Sequence, residues 1–480
     1  MAGAVRAHMA LVEVDETDER GARAPGRGDD AGWGAPGRDD ARRAEGPPRR
    51  RLRWWWGVPV VVAAVLAASM ADATSDRVAQ ERADRTPALV SPLDARPQER
   101  WRADGTAGWQ GVVTADGALV LVSEDRDGWW LTAHEATTGA VRWTRSMGAA
   151  EASAFEGSSL RCPSDGRDVG ALVVCVVTRP VPVYVDRGRL ARRSTVVTLD
   201  ARDGAERGRW EVEGTLLGAG RVGDDLVVGA VGDDGQVTVT RRSARTGEVV
   251  WTHEADGTLS DRGARRSWVR VSGALVLADA GESAVLRASD GSPVFSAPAL
   301  RFTELAPYGD GFATFTLERR GALFDGDGGK VADLPGLPAP LVADDGSAGD
   351  VVVVDVGTSL LGVDASTGRT RWALDTWLDA ALVVDGVLVV AGDTQVAGVD
   401  VRDGHELWHH DGIAVAAAPA SDGSLVLVPA LTGGGSRVVA FDLHDGGRYW
   451  AVDGPAGLQS ITGAGGSLLL RTRGTVVVLR

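Results

Sequence analysis

Few residues of this chain have both the type and the spacing to do chemistry. Cys162 and Cys175 are thirteen positions apart. In an oxidising compartment they form one structural disulfide that ties an insertion to a strand, and in a reducing one they are two buried thiols. His409 and His410 are chain neighbours, and neighbours in a strand face opposite sides of the sheet, so they are not expected to chelate one ion. His134 beside Glu135 fails as a metal pair for the same reason. Asp325-Gly326-Asp327-Gly328-Gly329 has the opening composition of a calcium loop, but the twelfth position is Gly336 where a bidentate glutamate is required. A hairpin turn is the expected use of those residues, since glycine and aspartate are the usual turn formers.

No G-x-S-x-G elbow, phosphate loop or helical H-E-x-x-H pair occurs. The expectation from residues alone is a protein that is not an enzyme, with no catalytic set, no cofactor and no metal.

The elements that would position any site come in three regions. Residues 1–53 are rich in Gly, Pro, Arg and Asp and lack an apolar period, so they are predicted to be a disordered tail. The Arg27-Gly28-Asp29 tripeptide there is what chance supplies in such a composition. Residues 54–71 carry no charge, and as a helix would span about 27 Å at ~1.5 Å per residue, enough to cross a bilayer. Arg49, Arg50, Arg51 and Arg53 precede this run and three tryptophans open it, which predicts a single-pass membrane helix with a cytoplasmic N-terminus. The rival is a cleaved signal peptide ending near Ala71-Asp72-Ala73, weakened by the leader of over fifty residues before it. Residues 72–100, with Pro87, Pro92 and Pro97, read as an extracytoplasmic linker.

The remaining region, 101–480, repeats itself. Ala133–Trp143 reads AHEATTGAVRW, Arg241–Trp251 RRSARTGEVVW, Gly362–Trp372 GVDASTGRTRW, Gly398–Trp408 GVDVRDGHELW and Ala440–Trp450 AFDLHDGGRYW. The glycine precedes the tryptophan by four positions in all five, as Gly139/Trp143, Gly247/Trp251, Gly368/Trp372, Gly404/Trp408 and Gly446/Trp450. A sixth copy inserts two residues between Gly204 and Trp210, and a seventh follows Gly291 with Phe295. An apolar strand-like run lies ten to fifteen residues upstream of each copy, so the period is near forty. Helical periodicity is absent, which leaves an all-β repeat. Glycine supplies the positive φ of a hairpin turn, Asp or Thr before it bonds the turn backbone, and one large ring per unit fills the wedge between adjacent sheets.

These residues resemble the PQQ-like repeat, with Asp364, Thr367, Gly368 and Trp372 matching its pattern most fully. The resemblance implies a closed β-propeller. Eight units with their own outer strand plus one shared between the chain's two ends make nine blades when counted literally. Eight is the commoner upper limit, so the expectation is eight blades within a range of seven to nine, with one unit between Leu286 and Gly336 not independent.

The family also includes quinone-dependent dehydrogenases with adjacent cysteines over the cofactor and a Ca²⁺ site beside it. This chain has no adjacent cysteine pair. Similar repeats also occur in a scaffolding lipoprotein of outer-membrane assembly.

Charge narrows the partners. The chain carries −15 overall, while residues 1–53 hold 11 arginines against 10 acids, so the excess of acid falls on the repeat region. Such a surface repels phosphate backbones and predicts no nucleic-acid partner. The expected function is a membrane-anchored extracytoplasmic binding or scaffolding module that offers a propeller face to a protein, glycan or small ligand. The competing expectation is a PQQ/Ca-dependent dehydrogenase.

Overall fold

The computed structural model describes residues 86, 88–93, 96–104, 112–125, 128–148, 159–164, 169–185, 189–259, 267–298, 303–318 and 320–480, with the backbone only over 180–192. The chain divides into Met1–Ala64 and Val65–Arg480, and all described residues belong to the second unit. The expected tail and the membrane run 54–71 therefore lie outside the described residues. Among those residues no helix is long and apolar enough to cross a membrane.

The described chain folds into nine antiparallel sheets arranged as a β-propeller. Eight blades are consecutive four-strand meanders, over 113–148, 159–212, 215–258, 268–298, 303–334, 337–375, 379–411 and 420–454. The ninth joins strands Ser460–Ala464, Ser467–Arg471 and Thr475–Leu479 to the N-terminal strand Glu99–Asp104, which pairs antiparallel with Thr475–Leu479. The ring thus closes through its two ends, as expected from the absence of a final Gly and Trp.

Nine blades lie inside the expected range and correct the preference for eight. The unit that the lower count discounted, 303–334, is an independent sheet of four strands. The lower count rested on the commoner size of propellers, but this unit has its own strands and its own packing against blade 4. Phe295, Phe312 and Phe324 meet with centroids 4.8–5.6 Å apart and fill the wedge between blades 4 and 5.

Strand position follows from burial. The fourth strand of a blade alternates exposed and buried residues, as in Thr370–Asp375 and Glu406–Asp411, and forms the outer rim. The first strand, such as Asp379–Val384, is buried nearly throughout and faces the centre. The upstream apolar runs identified in the sequence are the second strands, covered on both sides by neighbouring blades.

What holds adjacent blades is visible at the repeat residues. The indole N–H of six rim tryptophans donates to a backbone carbonyl in the next blade's hairpin. The pairs are Trp101 to Ala136 (3.1 Å), Trp143 to Ala201 (2.8 Å), Trp210 to Ala244 (3.2 Å), Trp251 to Ala288 (3.1 Å), Trp372 to Val401 (2.8 Å) and Trp408 to Leu443 (2.8 Å). The same ring lies flat against the turn glycine of that hairpin. A Cβ at Gly139, Gly204, Gly247, Gly291, Gly404 or Gly446 would fall 2.4–2.8 Å from the nearest ring atom. The glycine is therefore required twice, for its φ near +70° and for the space the ring occupies.

Three junctions depart from this pattern. Between blades 5 and 6 there is no rim ring, and Gly368 instead abuts the backbone of Asp333, while Tyr308 packs against the blade 6 strands further in. Between blades 4 and 5 the phenylalanine trio substitutes. Between blades 8 and 9 Trp450 is buried, but its Nε1 has no partner. Blade 9 has no continuous hairpin there, because its third strand ends the sequence at Arg480 and its fourth begins near Glu99.

Segments between strands occupy the inner edge. Residues 88–93, which the sequence assigned to a linker, pack on blades 7 to 9: Leu89, Val90 and Leu93 are buried, Val90 N donates to Ser421 O, and Leu93 N donates to Asp422 Oδ2 at 2.9 Å. Residues 339–350 include Ala343–Asp344, a parallel fifth strand on the inner strand of blade 7. Cys162 and Cys175 form a disulfide that ties the insertion after Ser159–Arg161 to the strand Leu172–Val185, as expected. Arg221 further clamps that insertion through Leu172 O (2.6 Å) and Val169 O (3.2 Å).

Two comparisons test the docking geometry in thermal and denaturant unfolding. Trp372→Phe and Trp450→Phe remove the same ring volume, but only the first loses an indole bond, so it should cost about 1 kcal/mol more. Equal losses would remove the bond from the account. Gly404→Ala, which meets Trp372, should cost roughly 1–3 kcal/mol more than Gly412→Ala, whose φ is also positive but whose Cβ meets nothing within 4 Å.

Candidate interaction face

Alternating strand directions give the propeller two ends. One carries the turns between first and second and between third and fourth strands, including every Gly-Trp motif. The other carries the turns between second and third strands and the connections between blades. These are the motif face and the loop face.

On the motif face the polar residues are committed. Asp364 Oδ1 accepts the backbone N–H groups of Ser366 (3.1 Å) and Thr367 (2.9 Å), and Asp442 does the same for His444 and Asp445. The residue before the turn glycine also bonds the turn, as Asp203 does with Ala205 N and Asp403 with His405 N, both as expected. Arg371 bridges Asp364 and Asp350, and the guanidinium holds the Asp364 carboxyl far below the usual range. Arg202 pairs with Asp116, Arg207 with Asp200 and Arg241 with Asp225. Asp325 Oδ1 takes the N–H groups of Asp327 and Gly329, so the calcium-like stretch is a hairpin turn.

The histidines that could have been ligands serve packing. His134 Nδ1 donates to Gly139 O at 3.0 Å, and its ring stacks on Trp101. His410 donates to Gly446 O at 2.8 Å and stacks on Phe441, while His409 points to solvent beside Glu406. The two neighbours do face opposite sides. Among the described residues no three His, Cys, Asp or Glu side chains converge as a metal site.

One polar cluster on the loop face has the residue types of a hydrolase. His253 Nε2 donates to Glu282 Oε1 at 2.8 Å, and Ser296 Oγ donates to Glu282 Oε2 at 2.7 Å. The order is wrong for nucleophilic catalysis, because the serine bonds the carboxylate and not the imidazole, so no base accepts its proton. The cluster instead joins the rim of blade 3 to blade 4. The His253 hydrogen bond holds the buried Glu282 carboxyl below its ordinary value, helped by Ser296 and opposed by burial.

The loop face also carries large apolar side chains in solvent, and among the described residues the most exposed of them lie there. Trp377 is 85% exposed in the connection between blades 6 and 7, and Leu317 is 77% exposed in a turn of blade 5. Val356 of blade 6 and Leu431 of blade 8 are also exposed at this end. Sequence reasoning passed over Trp377. Its signal was a tryptophan out of register, five positions after Trp372 and outside any Gly-x-x-x-Trp copy. A shortened copy before Trp101, LDARPQERW, was likewise missed because it has lost its glycine.

A nine-bladed ring of tryptophan-docked sheets defines this as a PQQ-like repeat propeller. The chain belongs to the family described as outer membrane protein assembly factor BamB, whose model matches residues 130–306 and 333–457. Among solved structures it is similar to BamB from Moraxella catarrhalis (17% identity, TM-score 0.45, 80% of this chain and 100% of that one). It is also similar to a europium-containing methanol dehydrogenase (11%, 0.45, 80% and 86%) and to quinohemoprotein alcohol dehydrogenase from Comamonas testosteroni (12%, 0.44, 83% and 79%). No curated protein matches the chain.

A carboxylate whose folded pKa is depressed contributes stability above its unfolded pKa and loses it as pH falls through the folded one. Glu282→Gln should therefore lower the melting temperature at pH 7, and the gap to wild type should narrow below the ordinary glutamate value of 4.5. A gap that stays constant from pH 7 to pH 3 would show that Glu282 does not act through its charge.

Proposed function

We propose that this chain is a non-catalytic propeller, held on the extracytoplasmic side of a membrane by residues 54–71, that docks a protein partner on its loop face. The exposure of Trp377 carries the reading. A large aromatic ring left in water on a rigid ring of blades is the residue type that anchors protein interfaces, and Leu317, Val356 and Leu431 extend the apolar surface at the same end. The family's description as an outer-membrane assembly factor supports a scaffolding role.

The quinone reading finds no support in the residues present. Both cysteines are used in the insertion of blade 2, and no histidine or carboxylate set converges on the described inner edge.

Site-specific photo-crosslinking in cells tests docking. A crosslinker placed at Trp377 should capture a discrete protein, and one at the rim residue Tyr449 should not. Protease digestion confined to the first fifty residues on intact cells would overturn the topology.

A further inference from the structure

Trp377 stands in an acidic frame. Asp375 and Asp379 flank it in the chain, and Asp355, Asp393 and Asp411 end or connect strands at the same end of blades 6 and 7. All five are exposed. Their contacts are modest. Asp355 accepts Gly357 N at 2.7 Å, Asp375 accepts Ser359 Oγ at 2.9 Å, and Asp411 accepts Gln395 Nε2 at 2.7 Å with His409 Nε2 3.8 Å away. Among the described residues none of the five pairs with lysine or arginine. The loop-face segments 351–359, 373–381, 389–397 and 409–419 contain neither residue.

The other face makes this informative. There Arg202, Arg207, Arg241 and Arg371 each neutralise an aspartate, so arginine is available to this chain and is placed where acids need it. Over blades 6 and 7 the loop face sets carboxylates without a basic partner at the same end as the exposed aromatic ring. Five carboxylates at the same end of two adjacent blades as one indole attract and steer a cation, and the ring face adds a cation–π contact.

Resting on the docking reading above, we infer that the partner engages blades 6 and 7 through a basic segment, an arginine- or lysine-bearing stretch with apolar neighbours that lays a cation against Trp377 between Asp375 and Asp379. The carboxylates set approach and orientation. The ring and Val356 give the desolvated contact.

Fluorescence anisotropy of two labelled short peptides on the full-length chain in detergent tests this, one alternating arginine and leucine and the other glutamate and leucine. The arginine peptide should bind and weaken with added salt, and the glutamate peptide should not bind. Trp377→Ala and Asp375→Asn/Asp379→Asn should each weaken the arginine peptide about tenfold. Because these side chains are exposed, both variants should keep the wild-type melting temperature. Equal binding of the two peptides, or no binding of either, overturns the inference. So does a calcium titration whose heat vanishes in Asp375→Asn/Asp379→Asn but persists in Trp377→Ala, since the acids would then be a metal site. A partner crosslinked at position 377 with undiminished yield in the asparagine variant removes the basic segment and leaves docking intact. Absence of any crosslink there removes docking itself.

Discussion

The structure depends on one contact repeated around the ring, an indole seated on the next blade's turn glycine while its N–H bonds a carbonyl of the same hairpin. A single antiparallel sheet of four short strands has two faces to bury and cannot do so alone. The docked ring joins sheets at the rim, where their separation is greatest and aliphatic side chains would leave a gap. It also makes junction geometry specific, since a ring clamped by one bond and one flat contact has little freedom to slide. Six of nine junctions use the device in full.

The exceptions show how far the constraint can be relaxed. Where Trp is replaced by Phe295, two further phenylalanines restore volume but not the directional bond. Trp450 keeps its volume and lacks an acceptor, and a buried donor without a partner costs about 1–3 kcal/mol. That cost falls at the junction made from the chain's two ends. Segments elsewhere offset the width of a nine-bladed ring from inside. The N-terminal stretch, the disulfide-tied insertion and the parallel strand Ala343–Asp344 all lie along inner strands.

Much of this was legible because the contact is written with fixed spacing. Gly and Trp four positions apart, seven times with minor variation, state both the turn and the wedge. Blade number was less legible. Blade 5 has no aromatic at the rim position of its fourth strand, and the wedge before it is filled by Phe295 of blade 4 with Phe312 and Phe324 of its own second and third strands, too far apart in the sequence for a local pattern to mark. The copy before Trp101 lost its glycine and with it the visible signature. Burial of Leu89, Val90 and Leu93 had no periodic signal, because an apolar residue every few positions among prolines looks like a spacer until a surface is present to receive it. The disulfide needed only the compartment and the spacing of the two cysteines. Trp377 was present in the sequence as an unexplained tryptophan, and only the fold distinguishes a ring in solvent from one in a wedge.

The same contact explains why the two faces differ. Every docking hairpin lies at one end, so residues there answer to the neighbouring blade: aspartate must cap the turn, glycine must yield to the ring, and arginine must neutralise the aspartates brought together. A substitution at that end disturbs a junction and, through closure, the ring. Turns at the other end join strands within a blade or lead to the next, and apart from local contacts such as His253 with Glu282 their side chains are not part of the repeated docking device. Charge and apolar surface can accumulate there without loss of stability. The carboxylates and the exposed indole lie over blades 6 and 7, whose junctions with each other and with blade 8 carry the full docking contact. The repeat specifies a platform. What distinguishes this platform from others built on the same repeat is the small set of side chains that the repeat leaves free.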